Sequence, residues 1–404
     1  MTSAPSLADV VALLERRYPP SGAESWDAVG TVCGEPAQPV RRVMFAIDAT
    51  AAVVEEAIGW GADLLVTHHP LLLRGVHSVA ATTAKGAVVH RLVRAGCALH
   101  AAHTNADAPD GGVPASLALA VGLVDVTPLV PTPAPGLDKH VVFVPVEHTD
   151  ALVDALSAAG AGELGEYSRC AWTTTGTGTF VPGPDAEPAV GTRGEVARVA
   201  EARVEMVAPR RLRERVVAAM RAAHPYEEPA FDVLEAATLQ GSTGAGRVGR
   251  LPEPMTLRAF AERVAEVLPV TAQGVRVAGD LDADVERVAV VGGSGDSFFD
   301  AVRAAGADVY LTGDLRHHPA LELRERAMFE AAAAGRAPAD GRPFLVDVAH
   351  SASEWPWLAR AAAALAEDVA AAHGTTVETR ISTLSTDPWT AHLPSAPREQ
   401  GPQP

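Results

Sequence analysis

Residues 61–70 read GADLLVTHHP, and they indicate the fold class because they join a helix stop, a buried strand and a polar loop. Gly61 ends a helical pattern over residues 51–61, and Leu64–Thr67 reads as a buried strand followed by two histidines. A short apolar run at residues 43–47 precedes the helix. This order of strand, helix and strand predicts a βαβ unit and a largely parallel sheet.

The same pattern recurs in the last third of the chain. Residues 306–312, GADVYLT, match residues 61–67, and Arg287-Val288 stand before them at the spacing of Arg42-Val43. A second match, at nearly the same offset, pairs HTNAD at residues 103–107 with HSASE at residues 350–354. These matches indicate that the first and last blocks are duplicated halves of one sheet-based unit.

The middle of the chain has a different order of predicted strands and helices. Residues 139–236 read as strand, helix, two strands, a helix opened by Pro209, and a last strand. That βαββαβ order predicts a ferredoxin-like α+β insert. A proline-rich linker at residues 130–136 and a glycine-rich stretch at residues 241–249 flank it.

The predicted fold class is therefore α/β, with two βα-sheet halves that form one unit around an inserted α+β domain. The predicted domains are residues 1–130 for the first half, residues 137–240 for the insert and residues 250–390 for the second half. Residues 391–404 are rich in proline and are predicted to be a disordered tail.

Composition limits the function. The 404 residues are 48% hydrophobic and carry a formal net charge of −17, which argues against a nucleic-acid partner because phosphate contacts need a basic face. Three widely spaced cysteines form no C-x-x-C pair, which fits a reducing cytoplasm better than a disulfide framework. The sequence contains no long uncharged apolar run, so we expect no membrane segment.

Candidate metal ligands lie at equivalent places in the two halves. His68 and His69 follow a strand directly, where open α/β sheets place their ligand sites. His350 and Glu354 are four residues apart, so a helix would put both on one face, and Asp107 supplies a carboxylate in the first half. Neighbouring imidazoles could each reach one of two ions, with water filling the open positions.

Each of these features also has an ordinary structural interpretation. A His-His pair can lie on the surface or cap a helix, and Asp107 lies among turn-forming residues. His350 and Glu354 could be a helical pair on a solvated face. Their joint placement after strands, in register between the repeats, adds support for a metal site, and both interpretations stay open at this point.

Several motifs resemble those of one protein family. They are ESWDAVG at residues 24–30, DLLVTHHPL at residues 63–71, HTNAD at residues 103–107, TGDLRHH at residues 312–318, HSASE at residues 350–354 and HPYEEP at residues 224–229. Over most of residues 24–390 the chain is similar to the Nif-three-like family, also catalogued as GTP cyclohydrolase I type 2 homologues or dinuclear-metal-centre proteins. It resembles the longer members, which carry a PII- and CutA-like insert.

The resemblance implies two divalent metal ions per subunit and a toroidal homohexamer. It implies that the ions are held by His68, His69, Asp107, His350 and Glu354, with Glu354 bridging. Imidazole and carboxylate ligands suit zinc, iron and manganese alike, so the metal stays open.

Other residues are candidates for supporting roles. His103 aligns with His350 and is predicted to orient a ligand rather than to bind metal. Arg74 could pair with a substrate phosphate or lie on the surface, and His317 and His318 are candidates to face the substrate.

Two further motifs receive structural interpretations. GGSG at residues 292–295 lacks the lysine of a P-loop, so it is interpreted as a strand-to-helix turn in close contact with the other half. For Tyr226, Glu227 and Glu228 of the insert, packing or subunit contact is favoured over a second metal site.

Two functions remain open from the sequence. The leading hypothesis is a cytoplasmic, metal-dependent hydrolase. The family name suggests GTP as its substrate, and the substrate class expected is a nucleotide or another phosphorylated small molecule. The alternative is a non-catalytic metal-binding scaffold or regulatory hexamer whose insert senses a ligand.

Overall fold

The computed structural model describes residues 4–394. This part of the chain divides into two compact units, one formed by residues 4–132 and 242–394 and the other by residues 133–241. Residues 395–404, which make up most of the predicted tail, lie outside the described residues.

The first half of the larger unit alternates strands and helices after an opening helix. Its elements are α1 (Leu7–Arg17), β1 (Gly30–Cys33), β2 (Arg42–Ala46), α2 (Ala51–Trp60), β3 (Leu64–Thr67), α3 (Ala84–Ala95), β4 (Ala98–Ala101), α4 (Val113–Ala120) and β5 (Val124–Pro133).

The smaller unit has the order strand, helix, strand, strand, helix, strand. Its elements are β6 (Leu137–Pro145), α5 (Thr149–Ala158), β7 (Ala171–Phe180), β8 (Ala197–Pro209), α6 (Arg213–Ala223) and β9 (Phe231–Glu235). They form a four-stranded sheet in the order β7-β8-β6-β9, and its paired strands are antiparallel. The helix predicted to open at Pro209 begins at Arg213, because Pro209 still pairs with Leu137 in the sheet.

The second half of the larger unit again alternates strands and helices. Its elements are β10 (Gln240–Thr256), α7 (Leu257–Val267), β11 (Arg276–Ala278), β12 (Asp284–Ser294), α8 (Phe299–Ala304), β13 (Val309–Gly313), α9 (His317–Ala333), β14 (Phe344–Val348), α10 (His350–Glu354), α11 (Pro356–His373) and β15 (Glu378–Ile381).

Two sheets of similar topology organise the larger unit. One has the order β1-β4-β3-β2-β15, and the other has the order β11-β14-β13-β12-β10-β5. In the first sheet β15, β2, β3 and β4 are parallel and β1 is antiparallel. In the second, β12, β13 and β14 are parallel and β11 is antiparallel. The carboxyl ends of β3, β4 and β14 carry the residues of interest.

The repeated Gly-Ala-Asp triplet has the same structural role in both sheets. Gly61 and Gly306 follow helices with φ of +76° and +65°, a conformation that glycine adopts readily. The carboxylate of Asp63 accepts the backbone N–H groups of residues 41 and 42, and that of Asp308 accepts those of residues 286 and 287. The triplet therefore ties the end of one helix to the start of the preceding strand.

Both faces of each sheet are buried under helices. In β2, Val43 and Phe45 pack towards α1 and α11, whereas Met44 and Ala46 pack towards α2 and α3. The second sheet packs one face against α4 and α7 and the other against α8 and α9. This explains why the central strands are continuously apolar rather than alternating.

Two segments expected to be connections are strands. The proline-rich segment at residues 130–136 begins inside β5, which lies at the edge of its sheet, where proline is tolerated. The glycine-rich segment at residues 241–249 lies inside β10. A Cβ at Gly249 would stand 2.8 Å from the carbonyl oxygen of Val124, so glycine allows the close approach of β5.

The chain beyond β15 has a defined position as far as it is described. Residues 387–389 line a cavity together with Asp48 and His350. Within residues 4–394, no helix combines the length and apolar character needed to cross a bilayer.

Candidate metal centre

Four histidines meet where strands of the two sheets end. His68 and His69 follow β3, and His103 follows β4, as expected for a site at the carboxyl edge of a parallel sheet. His350 comes two residues after β14 and opens the short helix α10, which ends at Glu354. The structure therefore brings residues of both halves to one place.

Glu354 lies at the middle of this cluster. Its Oε1 atom is 3.4 Å from Nε2 of His68 and 3.0 Å from Nε2 of His350, and its Oε2 atom is 3.1 Å from Nε2 of His69. The Nε2 atoms of His69 and His350 are themselves 3.2 Å apart. Only 4% of the Glu354 side chain is exposed, so its carboxylate is largely shielded from solvent.

Each imidazole is held through its other nitrogen. Nδ1 of His68 donates to the carbonyl oxygen of Ala102 at 2.9 Å, and because a carbonyl can only accept, this nitrogen carries the proton. Nδ1 of His69, His103 and His350 lies 2.8 Å from carboxylates of Asp48, Asp27 and Asp314. In the neutral rings these contacts leave the Nε2 lone pairs directed at the cluster.

The close packing of these ionisable groups shifts their pKa values. Burial alone would lower the pKa of His69, but the carboxylates of Glu354 and Asp48 outweigh it and raise the pKa to about 10. Burial is likewise outweighed at His350, where Glu354 and Asp314 raise the pKa to about 9. The neighbouring imidazoles hold the pKa of Glu354 well below its usual range despite its burial. Without a metal ion, protons thus provide the positive charge that the carboxylate requires.

An orphaned atom shows that the cluster suits a cation. Oε2 of Glu354 is buried and accepts no hydrogen bond from the described residues. If the ring of His69 is neutral, its Nε2 lone pair faces this oxygen and cannot donate to it. A buried carboxylate surrounded by nitrogen lone pairs is costly unless a cation lies between them. The residues present therefore fit a divalent metal ion.

The ligand atoms form two overlapping groups. Within each group all ligand atoms lie within 4.8 Å of one another, and the groups are His68, His69 and His103, and His69, His350 and Glu354. His69 belongs to both. The cluster could hold a metal ion in either group.

Asp107 and His103 lie at the cavity side of the cluster. Asp107 Oδ1 is 4.0 Å from His68 Nε2, and about a third of its side chain is exposed. Burial of its carboxyl group and the charge of Glu354 raise the pKa of Asp107 to about 7, although His68 opposes this. His103, expected to orient a ligand, itself turns a ring nitrogen towards His68 and His69.

Gly293 and Ser353 make room for Glu354 and fix its helix. A Cβ at Gly293 would lie 2.7 Å from Glu354 Oε1, and the residue has a φ of +67°. The N–H of Gly293 donates to Ser353 Oγ at 2.7 Å, which joins β12 to α10. Three residues of the GGSG motif, which was interpreted as a turn touching the other half, instead end strand β12, and Gly293 packs against Glu354 of the same half.

Two cavities open beside the cluster. One has a volume of about 440 Å³ and is lined by His68, His103, Asp107, Glu354, Trp26 and Phe298, among others. The other has a volume of about 340 Å³ and lies on the far side, beside His69 and His350. The first is large enough for a small organic ligand.

Some predicted residues lie elsewhere. Arg74, His317 and His318 do not line either of these cavities and are exposed. His317 lines a different cavity of about 800 Å³ between β11 and α9.

Three carboxylates that orient the imidazoles were not predicted from the sequence. Asp27 and Asp314 lie within the quoted motifs without an assigned role, and Asp48 lies outside those motifs. Asp314 stands in the repeat where His69 stands in the first half, and it positions His350 instead of binding as a ligand. The position of Asp48 relative to a strand end could have identified it from the sequence. Asp48 follows β2 at the same distance at which His69 follows β3.

Comparisons with known proteins agree on the family. The family model described as Duf34/NIF3 (NGG1p interacting factor 3) matches residues 5–388. A Mycobacterium tuberculosis protein named GTP cyclohydrolase 1 type 2 homolog is 50% identical over 384 residues, covering 95% of this chain and 96% of its own. A Streptomyces coelicolor protein of the same name is 39% identical over 393 residues, covering 97% of this chain and 96% of its own.

Solved structures give the same result. The crystal structure of a Bacillus cereus protein related to NIF3 is 38% identical, has a TM-score of 0.70 and covers 96% of this chain and all of its own. Staphylococcus aureus protein SA1388 is 28% identical, with a TM-score of 0.78, and covers 96% of this chain and 99% of its own. The resemblance inferred from the motifs is confirmed, and the chain belongs to the Duf34/NIF3 family.

Proposed function

We propose that the protein binds two divalent metal ions in the histidine cluster and uses them to hydrolyse a small phosphorylated or nucleotide substrate. The observation that carries this proposal is the set of four imidazoles, each held through Nδ1, of which those of His68, His69 and His350 direct Nε2 at the buried carboxylate of Glu354. His68, His69, Asp107, His350 and Glu354 would hold the ions, with His103 as an added candidate. Zinc, iron and manganese all suit this donor set.

Different side chains of the protein would have different roles in this reaction. Divalent cations, when bound, lower the pKa of coordinated water and polarise substrate oxygens. Glu354 and the imidazoles would fix the ions, and Asp48, Asp27 and Asp314 would keep the rings in their binding tautomer. Asp107, whose pKa is raised to about 7 by burial, lies at the cavity where it could bind an ion or exchange a proton near neutral pH.

The cavity's composition bears on the substrate. The lining of the 440 Å³ cavity includes hydroxyl groups of Thr104, Ser294 and Ser297 but no lysine or arginine from the described chain. Phosphate oxygens would therefore depend on the metal ions for charge neutralisation. This favours a substrate with few phosphates over a fully extended triphosphate, and GTP, which the relatives' name suggests, is one member of the panel to be tested.

The domain organisation is part of the same proposal. We infer that the two sheets are duplicated halves, supported by their matching strand order and by the shared role of the Gly-Ala-Asp triplets. The smaller unit has the strand order expected of a ferredoxin-like fold. Assembly into a homohexamer rests on the family resemblance, and light scattering after size exclusion would test it.

A matched pair of variants tests the enzyme. Protein loaded separately with zinc, manganese or iron would be screened against nucleotides and phosphomonoesters beside Glu354→Gln and the control Glu367→Gln, which alters an exposed residue of α11. We expect turnover and about two metal equivalents per chain in the native protein and the control, and loss of both in Glu354→Gln with its circular dichroism unchanged.

The same experiment separates the alternative function. The second candidate is a metal-binding scaffold or regulatory protein, favoured by the absence of lysine and arginine from the described cavity lining. Metal binding without turnover on any substrate, together with assembly that depends on the metal, would support the scaffold and contradict the enzyme. Native metal content far below one equivalent would contradict both.

A further inference from the structure

A further cavity, in the smaller unit, has no part in the metal centre. It has a volume of about 520 Å³ and lies between the end of β7, the loop that follows it and the turn after α6. The aromatic rings of Phe143, Phe180 and Tyr226 form part of its lining. The size is that of a site for a small organic molecule.

A buried carboxylate faces this cavity without a cationic partner. Glu201 on β8 is 9% exposed, and its Oε1 atom accepts a hydrogen bond of 3.0 Å from the hydroxyl of Tyr226. Within residues 4–394, Glu201 forms no salt bridge, and its Oε2 atom accepts no hydrogen bond from a side chain. A Cβ at Gly178 would lie 2.0 Å from Oε2, so glycine at this position leaves space for the carboxylate. Burying a charge in this way is costly unless an opposite charge joins it.

Three further residues of the lining are acidic. Asp185, Glu227 and Glu228 line the same cavity, and the described lining contains no lysine, arginine or histidine. The carboxylate of Glu227 accepts the backbone N–H of Glu187 at 3.1 Å, which fixes the loop over the cavity. An aromatic wall beside several carboxylates attracts a positive charge through both the ring faces and the ionic groups.

Two hydrogen bonds of His224 fix the turn that carries Tyr226. The N–H of Tyr226 donates to Nδ1 of His224 at 3.0 Å, so the proton of the neutral ring is on Nε2, which donates to the carbonyl oxygen of Phe143 at 2.9 Å. Burial lowers the pKa of His224, which favours this neutral form. The HPYEEP motif thus has a defined local role, which is to present Tyr226 and its neighbouring carboxylates to the cavity.

The geometry is unsuited to a bare metal ion. In the described chain, the groups of three or more closely spaced metal-ligating atoms are those of the histidine cluster, and none lies in this cavity. A metal ion requires ligands that converge within a few ångströms, whereas an organic cation is satisfied by a carboxylate and ring faces at larger separations.

We infer that this cavity binds an organic cation carrying an ammonium, amidinium or guanidinium group, with Glu201 as the counter-charge and Phe180 and Tyr226 as the aromatic wall. The site lies wholly in the smaller unit. The inference does not depend on the metal centre or on hydrolysis.

Calorimetric titration of the full chain with benzamidine and agmatine tests this inference, with uncharged benzamide as the near-isosteric control ligand. We expect the cations to bind at least about tenfold more tightly than benzamide, since charge-assisted contacts exceed neutral ones. Glu201→Gln should weaken cation binding by about tenfold or more, whereas Glu163→Gln, an exposed residue of the same unit, should leave it unchanged. Metal content should stay the same in both variants, which separates this site from the proposed metal centre.

A second variant keeps the inference testable if Glu201→Gln does not fold. Phe180→Ala removes part of the wall at the end of a strand and should weaken binding severalfold while the circular dichroism is retained. Absence of cation binding up to about 10 mM, equal affinity for benzamide, or unchanged affinity in folded Glu201→Gln would overturn the inference. Saturable Mn²⁺ binding abolished by Glu201→Gln would overturn it too, by identifying a metal site.

Discussion

The Nε2 atoms of His69 and His350 lie 3.2 Å apart although the residues are separated by 281 positions in the sequence. Both rings are held through Nδ1 by a carboxylate, Asp48 for His69 and Asp314 for His350. Two nitrogen lone pairs at this distance repel one another unless a proton or a metal ion lies between or beside them. The two halves therefore meet at a point where a positive charge, from a proton or a metal ion, is needed to offset the repulsion of these lone pairs.

We predict that metal-free protein loses stability as the pH rises. The folded-state pKa is raised to about 10 at His69 and to about 9 at His350, in both cases because Glu354 and the holding carboxylate outweigh burial. A raised pKa means that the folded state binds more protons than the unfolded state between pH ~6.5 and the folded pKa. The stabilisation is complete below pH ~6.5 and disappears as the pH passes through 9 to 10.

Urea unfolding of chelator-treated protein at pH 7, 8.5 and 10 measures this effect. The free energy of unfolding should decrease across the series, and protein reloaded with metal should change much less because the metal replaces the protons. A metal-free protein equally stable at pH 7 and pH 10 would show that the imidazoles are not charged in the folded state.

We predict that Asp314→Asn weakens metal binding although Asp314 does not belong to the ligand cluster. The carboxylate fixes the ring of His350, and asparagine keeps the side-chain size and tolerates the φ of +52° found here. Loss of such a contact typically lowers metal affinity by roughly 10–100-fold. Competition with a chromogenic chelator measures the affinity, with Asp300→Asn on the surface of α8 as the control. Equal affinities of the two variants would remove the role assigned to Asp314.

The sequence predicted the parts of the fold that depend on local pattern. β3 was predicted with its observed bounds, and α2 with its glycine stop, because strand, helix and stop signals lie within a few residues. The short outer strands β1 and β11 were missed because their few residues carry no periodicity. β10 was missed because its glycines, which usually mark connections, serve here to admit β5.

The histidines and Glu354 of the candidate site were predicted from the sequence. The carboxylates that hold the imidazole rings were not. His68, His69, His350 and Glu354 could be found because they lie in the repeated segments of the two halves and because several motifs resemble those of one family. The contacts of Asp27, Asp48 and Asp314 depend on how separate loops pack, which sequence spacing does not encode. Ligation by the cluster, the homohexamer and the cytoplasmic location stay predictions.

We predict that His100 makes the protein sensitive to mild acid. Its side chain on β4 is 2% exposed, and burial lowers its pKa to about 4. Below pH ~6.5 the unfolded chain takes up a proton that the folded state does not accept until about pH 4, so stability falls through this range. From pH 7 to pH 5 this contributes a loss of about 2 kcal/mol.

The contribution of His100 can be separated from that of other groups by difference. His100→Leu should lose less stability than the native protein between pH 7 and pH 5, by about the same 2 kcal/mol. His90→Leu, which changes an exposed histidine of α3, should behave like the native protein. If native protein and His100→Leu show the same pH dependence, His100 is already charged in the folded state.

We predict that Arg247 is the most costly arginine to remove from the larger unit. Its side chain is 2% exposed, and its guanidinium donates to the carbonyl oxygens of residues 244 and 246 on β10 and of residues 108 and 109 beside Asp107, at 2.7 to 2.9 Å. Arg247→Met would leave these carbonyls without their donor, and breaking a buried charged network typically costs about 3–5 kcal/mol.

Arg250 on the same strand is the matched control for this change. It is about half exposed and pairs with Asp125 at the surface, so Arg250→Met should cost less than about 1 kcal/mol. Because Arg247 holds the loop that follows Asp107, any folded Arg247→Met protein should also bind metal more weakly than Arg250→Met. Chemical unfolding and metal titration measure both effects, and equal stability of the two variants would mean that water satisfies the carbonyls as well as the guanidinium does.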